Sequence, residues 1–234
     1  MNYKIKLKKW LQQQDEINAK LLSMLLGAQD IELNLNKDNI DEIQPEILSE
    51  INYYSNDIIQ LKQLLKEELN NSKTEDYGFR LLYLKYRMGL LEVDETSIIL
   101  KEVEKEISYE SLTKNIDIDK LYSFLFYVNN INTEIEGNII LKKLRDLILV
   151  YTTYFSRKFY MPELAICIQI SIFLKKYFGK DYFMMYKNFL LEYQSDSGYF
   201  YHGNPFFRAK DIDMKLMHSF YALVTLNKLE EISK

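Results

Sequence analysis

The sequence predicts an all-α fold of paired antiparallel helices, arranged as an α/α solenoid or a shortened α/α toroid. Only 7 glycines and 3 prolines occur among 234 residues, which is too few for the many tight turns of a strand-rich chain. Apolar residues make up 47% of the chain, enough to build a packed core. These apolar residues recur at helical spacing of three and four positions through most of the chain.

The helical spacing divides the chain into a series of segments. The predicted helices cover residues 3–26, 47–69, 79–90, 97–107, a run ending at 129, and residues 139–155, 161–178 and 182–193. Pro45 is expected in the first turn of the second helix, where its missing N–H costs nothing. Asp94 is expected to cap the helix over 97–107, and Asp117 or Asp119 the helix that follows.

A single domain over residues 1–234 is predicted. Its clearest internal break is 129–137, which contains three asparagines and Gly137, and a sub-boundary would fall there. An apolar–Lys pair also recurs at steps of 54, 39, 41 and 45 residues, beginning at Leu7, Leu61, Leu100, Leu141 and Tyr186. Such steps fit a helix pair used about five times, although Leu and Lys are common enough here for chance to explain them.

Charge and hydropathy exclude several classes of function. Residues 30–119 carry 21 acids and 10 bases, which disfavours nucleic acid as a partner. The basic start, MNYKIKLKKW, is followed by polar residues instead of the apolar region of a signal peptide. The apolar runs are shorter than a membrane span requires, so a soluble cytoplasmic protein without a transmembrane segment is predicted.

The one cysteine, Cys167, lies in the apolar run LAICIQI. A single cysteine excludes an internal disulfide and fits a reducing compartment. The apolar neighbours favour a buried, unreactive thiol over a reactive one.

Residues 186–229 hold both histidines and the one recognisable motif, Leu190-x3-Gln194-x3-Gly198-x-Phe200. This motif resembles the repeat signature of the α/α-toroid superfamily, the fold of terpenoid cyclases and protein prenyltransferase β-subunits, with Phe200 in the position of the family's tryptophan. The resemblance implies that the Gln194 side chain caps the end of a neighbouring helix, where backbone groups lack partners.

A second resemblance follows along the chain. The run from Met217 to Leu223, MHSFYAL, is similar to the prenyltransferase helix whose histidine binds zinc, and the resemblance places His218 at the ligand position. The family's Asp-x-Cys ligand pair has no counterpart here, so no metal and no other cofactor is predicted. The pair Asp211-x-Asp213 resembles the acidic motif of one cyclase class, but two carboxylates before a helix are more typical of N-caps.

The leading functional hypothesis is a non-catalytic binding or accessory protein. Its concave face, rich in Tyr and Phe, would hold an apolar ligand or a partner peptide. The candidate binding residues lie in the loop over 194–213 and are Gln194, Tyr199, Tyr201, His202, Phe206, Phe207 and Arg208. The alternative that these aromatic residues only cover the end of the core stays open.

Two other functions stay open as well. The first is a toroid-type cyclase or transferase, in which His218 and Tyr221 act as acid–base or ligand residues with Asp211 or Asp213 assisting. The second is an immunity-type or adaptor protein that docks a basic partner through its acidic middle.

Overall fold

The computed structural model describes residues 2–28, 31, 33, 42–51, 55–71, 78–111, 116–131, 138–201 and 211–232. Within these ranges the chain forms helices and no strand, and Gln194 and Phe200 make one isolated antiparallel bridge. The helices are α1 (Tyr3–Leu11), α2 (Ile17–Leu25), α3 (Pro45–Glu50), α4 (Asn56–Asn71), α5 (Phe79–Arg87), α6 (Val93–Tyr109), α7 (Ile118–Asn130), α8 (Ile139–Lys158), α9 (Met161–Phe173), a 3-10 turn (Lys175–Tyr177), α10 (Lys180–Glu192) and α11 (Ile212–Ile232). The predicted all-α class is therefore confirmed.

Helix α9 lies at the centre of the fold. Its residues from Leu164 to Ser171 are all buried, as expected for a helix that is apolar on every side. Helices α7, α8 and α11 pack around it. Cys167 sits in the middle of α9 with none of its surface exposed, so the burial predicted for this thiol is confirmed.

Two predicted helices are in fact divided. The segment 3–26 forms α1 and α2 because the polar residues 12–16 interrupt it, and the Gln14 side chain donates to the carbonyl of Trp10 at 3.1 Å. The same carbonyl also accepts from the backbone N–H of Gln13 at 3.0 Å, so the last turn of α1 ends on a carbonyl with two donors. The segment 47–69 was likewise predicted as one helix, whereas α3 ends at Glu50 and α4 begins at Asn56.

The helix caps differ in part from the prediction. Glu92 caps α6 in place of Asp94, through a capping box in which the Glu95 carboxylate accepts from the backbone N–H of Glu92 at 3.0 Å. Asp117 caps α7 as predicted, accepting from the backbone N–H of Lys120 at 2.9 Å. Asp119 instead crosses to the start of α5 and accepts from the backbone N–H of Arg80 at 2.9 Å.

The first and last helices meet. The Tyr3 hydroxyl donates to the side chain of Asn227 at 3.4 Å, and Lys4 forms an ion pair with Glu230 at 2.8 Å. The buried apolar cluster runs from Tyr3 on α1 to Leu229 on α11. None of the helices in the described ranges combines the length and apolar character that crossing a membrane requires.

Candidate functional site

An open cleft lies between α2, the end of α3 and the C-terminal half of α11. Its volume is about 350 Å³, within the range of small-molecule sites. We call it the outer cleft. Its wall combines aliphatic and polar side chains and consists of Met24, Leu25, Glu50, Ile51, Leu223, Val224, Asn227, Lys228 and Glu231.

A smaller space, which we call the inner pocket, lies deeper in the protein. Glu50 and Val224 belong to the walls of both spaces. The inner pocket measures only about 20 Å³, room for one group the size of a water molecule. Its remaining wall is Glu46, Ser49, Tyr83, Leu84, Tyr122, Leu125, Ile166, Gln169, Phe220 and Tyr221.

Glu46 is the buried acid of the inner pocket. It follows Pro45 in the first turn of α3, where a carboxylate is favoured by the helix dipole, and only 4% of its surface is exposed. Its Oε1 accepts from the Nε of Arg80, while its Oε2 has no hydrogen-bond partner in the described part of the chain. A buried acceptor without a donor is unusual in a folded protein.

Two tyrosines face each other beside Glu46. Tyr122 on α7 and Tyr221 on α11 are both buried, and their hydroxyl oxygens are 2.8 Å apart. Burial, and then the negative charge of Glu46, raise the pKa of Tyr221 to about 12. Burial also raises the pKa of Tyr122 well above its usual value. Both hydroxyls therefore keep their protons at neutral pH.

Lys228 lies in the wall of the outer cleft and bonds to Gln169, which lines the inner pocket. Its Nζ donates to the Oε1 of Gln169 at 2.7 Å, and the Nε2 of Gln169 donates to the hydroxyl of Thr225 at 3.1 Å. Burial lowers the pKa of Lys228, as expected for an ammonium withdrawn from water. Nearby, Glu50 pairs with the Nη2 of Arg87 at 3.0 Å.

Gln194 and Tyr199, both predicted as binding residues, contact α1. The Nε2 of Gln194 donates to the carbonyls of Tyr3 and Gly198, both at 2.8 Å. The ring of Tyr199 lies 5.2 Å from that of Trp10. The motif residues around them thus join the segment after α10 to the N-terminal helix, and we call this contact the α1 junction.

Gly198 and Phe200 complete the α1 junction. The φ angle of Gly198 is +112°, and a Cβ there would overlap the carbonyl oxygen of Lys6. Phe200 has none of its surface exposed, and its backbone N–H donates to the hydroxyl of Ser219 at 3.0 Å. Gln194, Gly198 and Phe200 therefore each have a role in packing within this chain.

The other predicted binding residues divide into two groups. Tyr201 is half-buried, with its ring 6.1 Å from that of Tyr193. His202, Phe206, Phe207 and Arg208 lie outside the described residues.

The catalytic candidates lie just before α11 and at different levels along it. Asp211 and Asp213 are exposed, and the Asp211 carboxylate accepts from the backbone N–H of Asp213 at 3.0 Å, as an N-cap does. Tyr221 is buried eight residues beyond Asp213, about 12 Å along the helix axis. His218 is buried between them. Of these four residues, only Tyr221 lines the inner pocket.

The described residues contain no group of three or more His, Cys, Asp or Glu side chains arranged to hold a metal ion. The described part of the chain is all-helical, and it contains an outer cleft with polar and aliphatic walls beside a small inner pocket with a mostly apolar wall and a few polar groups. Comparisons with protein families, with characterised proteins and with solved structures found no match to this chain. The resemblance to α/α-toroid proteins therefore stays a prediction.

Proposed function

We propose that this protein binds a small molecule with an apolar body and a polar end. The observation that supports it is the outer cleft, whose volume of about 350 Å³ suits a small ligand. Leu25, Val224 and Met24 offer an apolar surface to the body of the ligand, and polar groups around Lys228 and in the adjoining inner pocket can receive its polar end. The ligand is therefore amphiphilic, and it lies beside α11 instead of at the aromatic loop.

The ionisable groups of the cavity favour binding over catalysis. A general acid or base works best when its pKa lies near the working pH, whereas the pKa of Tyr221 is raised to about 12. The charged groups around it are engaged with protein partners: Glu46 with Arg80, Glu50 with Arg87, and Lys228 with Gln169. Such groups hold a shape and a charge pattern without carrying out a reaction.

Docking of a basic partner through the acidic middle has less support. Two glutamates of α6 are used within the fold, because Glu104 accepts from the Tyr127 hydroxyl at 2.8 Å and Glu106 lies 3.9 Å from the Nζ of Lys120. The exposed side of α6 also carries Lys101 and Lys105 beside its acids. Its surface charge is thus mixed.

Binding of N-phenyl-1-naphthylamine, a neutral dye that fluoresces in apolar cavities, tests the proposal. The substitution Val224→Phe places a larger side chain in the wall of both spaces, and we expect it to abolish or strongly weaken the fluorescence of the dye. Val150→Phe is the matched control, since it makes the same change on a helix at a position that is 40% exposed. Circular dichroism of both variants checks the fold.

Equal dye affinity in the two variants would show that the dye does not bind in the outer cleft. Absence of any dye signal in the unsubstituted protein, together with no binding of the octyl compounds described below by calorimetry, would remove the proposal.

A further inference from the structure

We propose that the inner pocket binds the hydroxyl group of an aliphatic alcohol, whose carbon chain occupies the outer cleft. This inference rests on the proposed function and names the ligand class. It comes from the hydrogen-bonding groups that the pocket presents.

The first group is an acceptor. Glu46 lines the pocket, and no donor bonds to its Oε2 within the described ranges. The Arg80 guanidinium bonds to the other oxygen of the same carboxylate. Leaving a buried acceptor unpaired destabilises a protein, so an occupant of the pocket is expected to donate a hydrogen bond here.

The second group is a donor. Tyr122 and Tyr221 carry two hydroxyl protons, and one proton forms the bond between their oxygens. Among the described residues no further hydrogen bond uses the other proton. Because both tyrosines remain protonated, that proton is available to an occupant of the pocket.

One acceptor and one donor together match a hydroxyl group, which donates one hydrogen bond and accepts others. An ammonium offers three donors and no acceptor. A carboxylate offers only acceptors and would face the carboxylate of Glu46. The volume of about 20 Å³ admits one group the size of a water molecule, and a hydroxyl is of that size.

The position of the pocket determines what carries the hydroxyl. Val224 and Glu50 form walls of both spaces, so the two spaces adjoin. In the proposed complex the hydroxyl lies in the inner pocket and the carbon chain passes beside Val224 into the outer cleft. Met24, Leu25 and Val224 are the aliphatic side chains of the cleft wall that keep some exposed surface, and such side chains favour a hydrocarbon chain.

Displacement of N-phenyl-1-naphthylamine by four octyl compounds tests the inference. They are 1-octanol, 1-octanethiol, octylamine and sodium octanoate, which share one chain and differ in the polar end. We expect 1-octanol to compete at least about tenfold more strongly than each of the others, because only a hydroxyl satisfies both groups and one such hydrogen bond to a charged acceptor is worth about a factor of ten or more. Direct calorimetric titration of the same compounds repeats the measurement without the dye.

Glu46→Gln replaces the carboxylate by an amide of the same shape, and we expect it to remove the preference for 1-octanol while dye binding persists. Glu102→Gln is the matched control, because it makes the same change at an exposed helix position outside both spaces, and it should retain the preference. If Glu46→Gln fails to fold, the competition by the four octyl compounds on the unsubstituted protein still tests the hydroxyl inference.

The two proposals fail in distinguishable ways. Equal competition by all four compounds would leave a ligand cavity and overturn the hydroxyl inference, as expected if a water molecule stays in the inner pocket. Strongest competition by octanoate would also overturn it, since Lys228 would then be the anchor. No binding of the dye and of any octyl compound would remove the proposed function itself.

Discussion

Gly198→Ala should destabilise the protein far more than a comparable substitution elsewhere. Gly198 has a φ of +112°, and a Cβ there would lie 2.6 Å from the carbonyl carbon of Lys6. Backbone atoms of a helix cannot rotate away as a side chain can. The α1 junction must therefore open for alanine to fit, and the bond from Gln194 to the carbonyl of Tyr3 is lost with it.

The expected loss in the free energy of unfolding is the sum of three contributions. Strain of an alanine at this φ costs about 2 kcal/mol, and the lost hydrogen bond with its packing costs about 1–2 kcal/mol more. Alanine also lowers the conformational entropy of the unfolded chain, which stabilises the folded state by about 0.5 kcal/mol. The net loss is about 3 kcal/mol, equivalent to a decrease in Tm of about 6–12 °C for a chain of this length.

Gly89→Ala is the matched control. Gly89 also has a positive φ, +69°, but an added Cβ would meet nothing within 4 Å. Backbone strain alone then applies, and about 1 kcal/mol is expected. The difference between the two variants, about 2 kcal/mol, measures the close approach of Gly198 to α1.

Thermal unfolding followed by circular dichroism gives the two values, and fluorescence locates the change. Trp10 is the only tryptophan of the chain and contacts Tyr199 in the α1 junction. Its emission should shift to longer wavelength in Gly198→Ala and not in Gly89→Ala. If both variants lose the same stability and share one emission spectrum, the argument for the close approach is wrong.

Three further predictions concern the buried polar groups. Tyr221→Phe should cost about 1–3 kcal/mol because it leaves the Tyr122 hydroxyl without its partner, and the double variant Tyr122→Phe/Tyr221→Phe should cost less than the sum of the single variants in urea unfolding. Alkaline pH should destabilise the protein, because the pKa of Tyr221 is about 12 in the folded state against 10.0 when unfolded. The stabilisation that this difference supplies is complete below pH 10 and decreases by about 1.4 kcal/mol per pH unit up to pH 12. Cys167 should not react with Ellman's reagent in the folded protein and should react fully in guanidinium chloride, because its thiol is completely buried and burial raises its pKa.

Each of these predictions has a contrary result. Additive losses in the double variant would mean that the two hydroxyls do not interact. If the free energy of unfolding of Tyr221→Phe decreases above pH 10 as steeply as that of the unsubstituted protein, Tyr221 does not titrate as described. Labelling of Cys167 at the rate of a free thiol under native conditions would place it at the surface.

The fold class could be predicted because its signals are local. Apolar spacing and the scarcity of glycine and proline act within one helix or one turn, and Pro45 and Asp117 mark helix starts as expected. The division of 3–26 was missed because apolar spacing continues on both sides of residues 12–16. The break falls at these polar residues, where the Gln14 side chain donates to the carbonyl of Trp10.

The candidate site could not be predicted from local patterns. Glu46 and Arg80 are 34 residues apart, and Tyr122 and Tyr221 are 99 apart. No local pattern connects them, so only Tyr221 was named, on the basis of a family resemblance. The motif from Leu190 to Phe200 was visible because it spans only eleven residues, but the Tyr3 carbonyl to which Gln194 donates is 191 residues away.

That separation of 191 residues has a consequence for folding. Contacts between residues so far apart require closure of a very long loop, whose entropic cost grows slowly with length but must be met before the contact stabilises anything. Proteins with many such contacts have high contact order and fold slowly. Helix α1 is therefore expected to dock late, after the helices around α9 have assembled. During synthesis it can dock only after residues 194–230, which include its contacts Gln194 and Glu230, have left the ribosome.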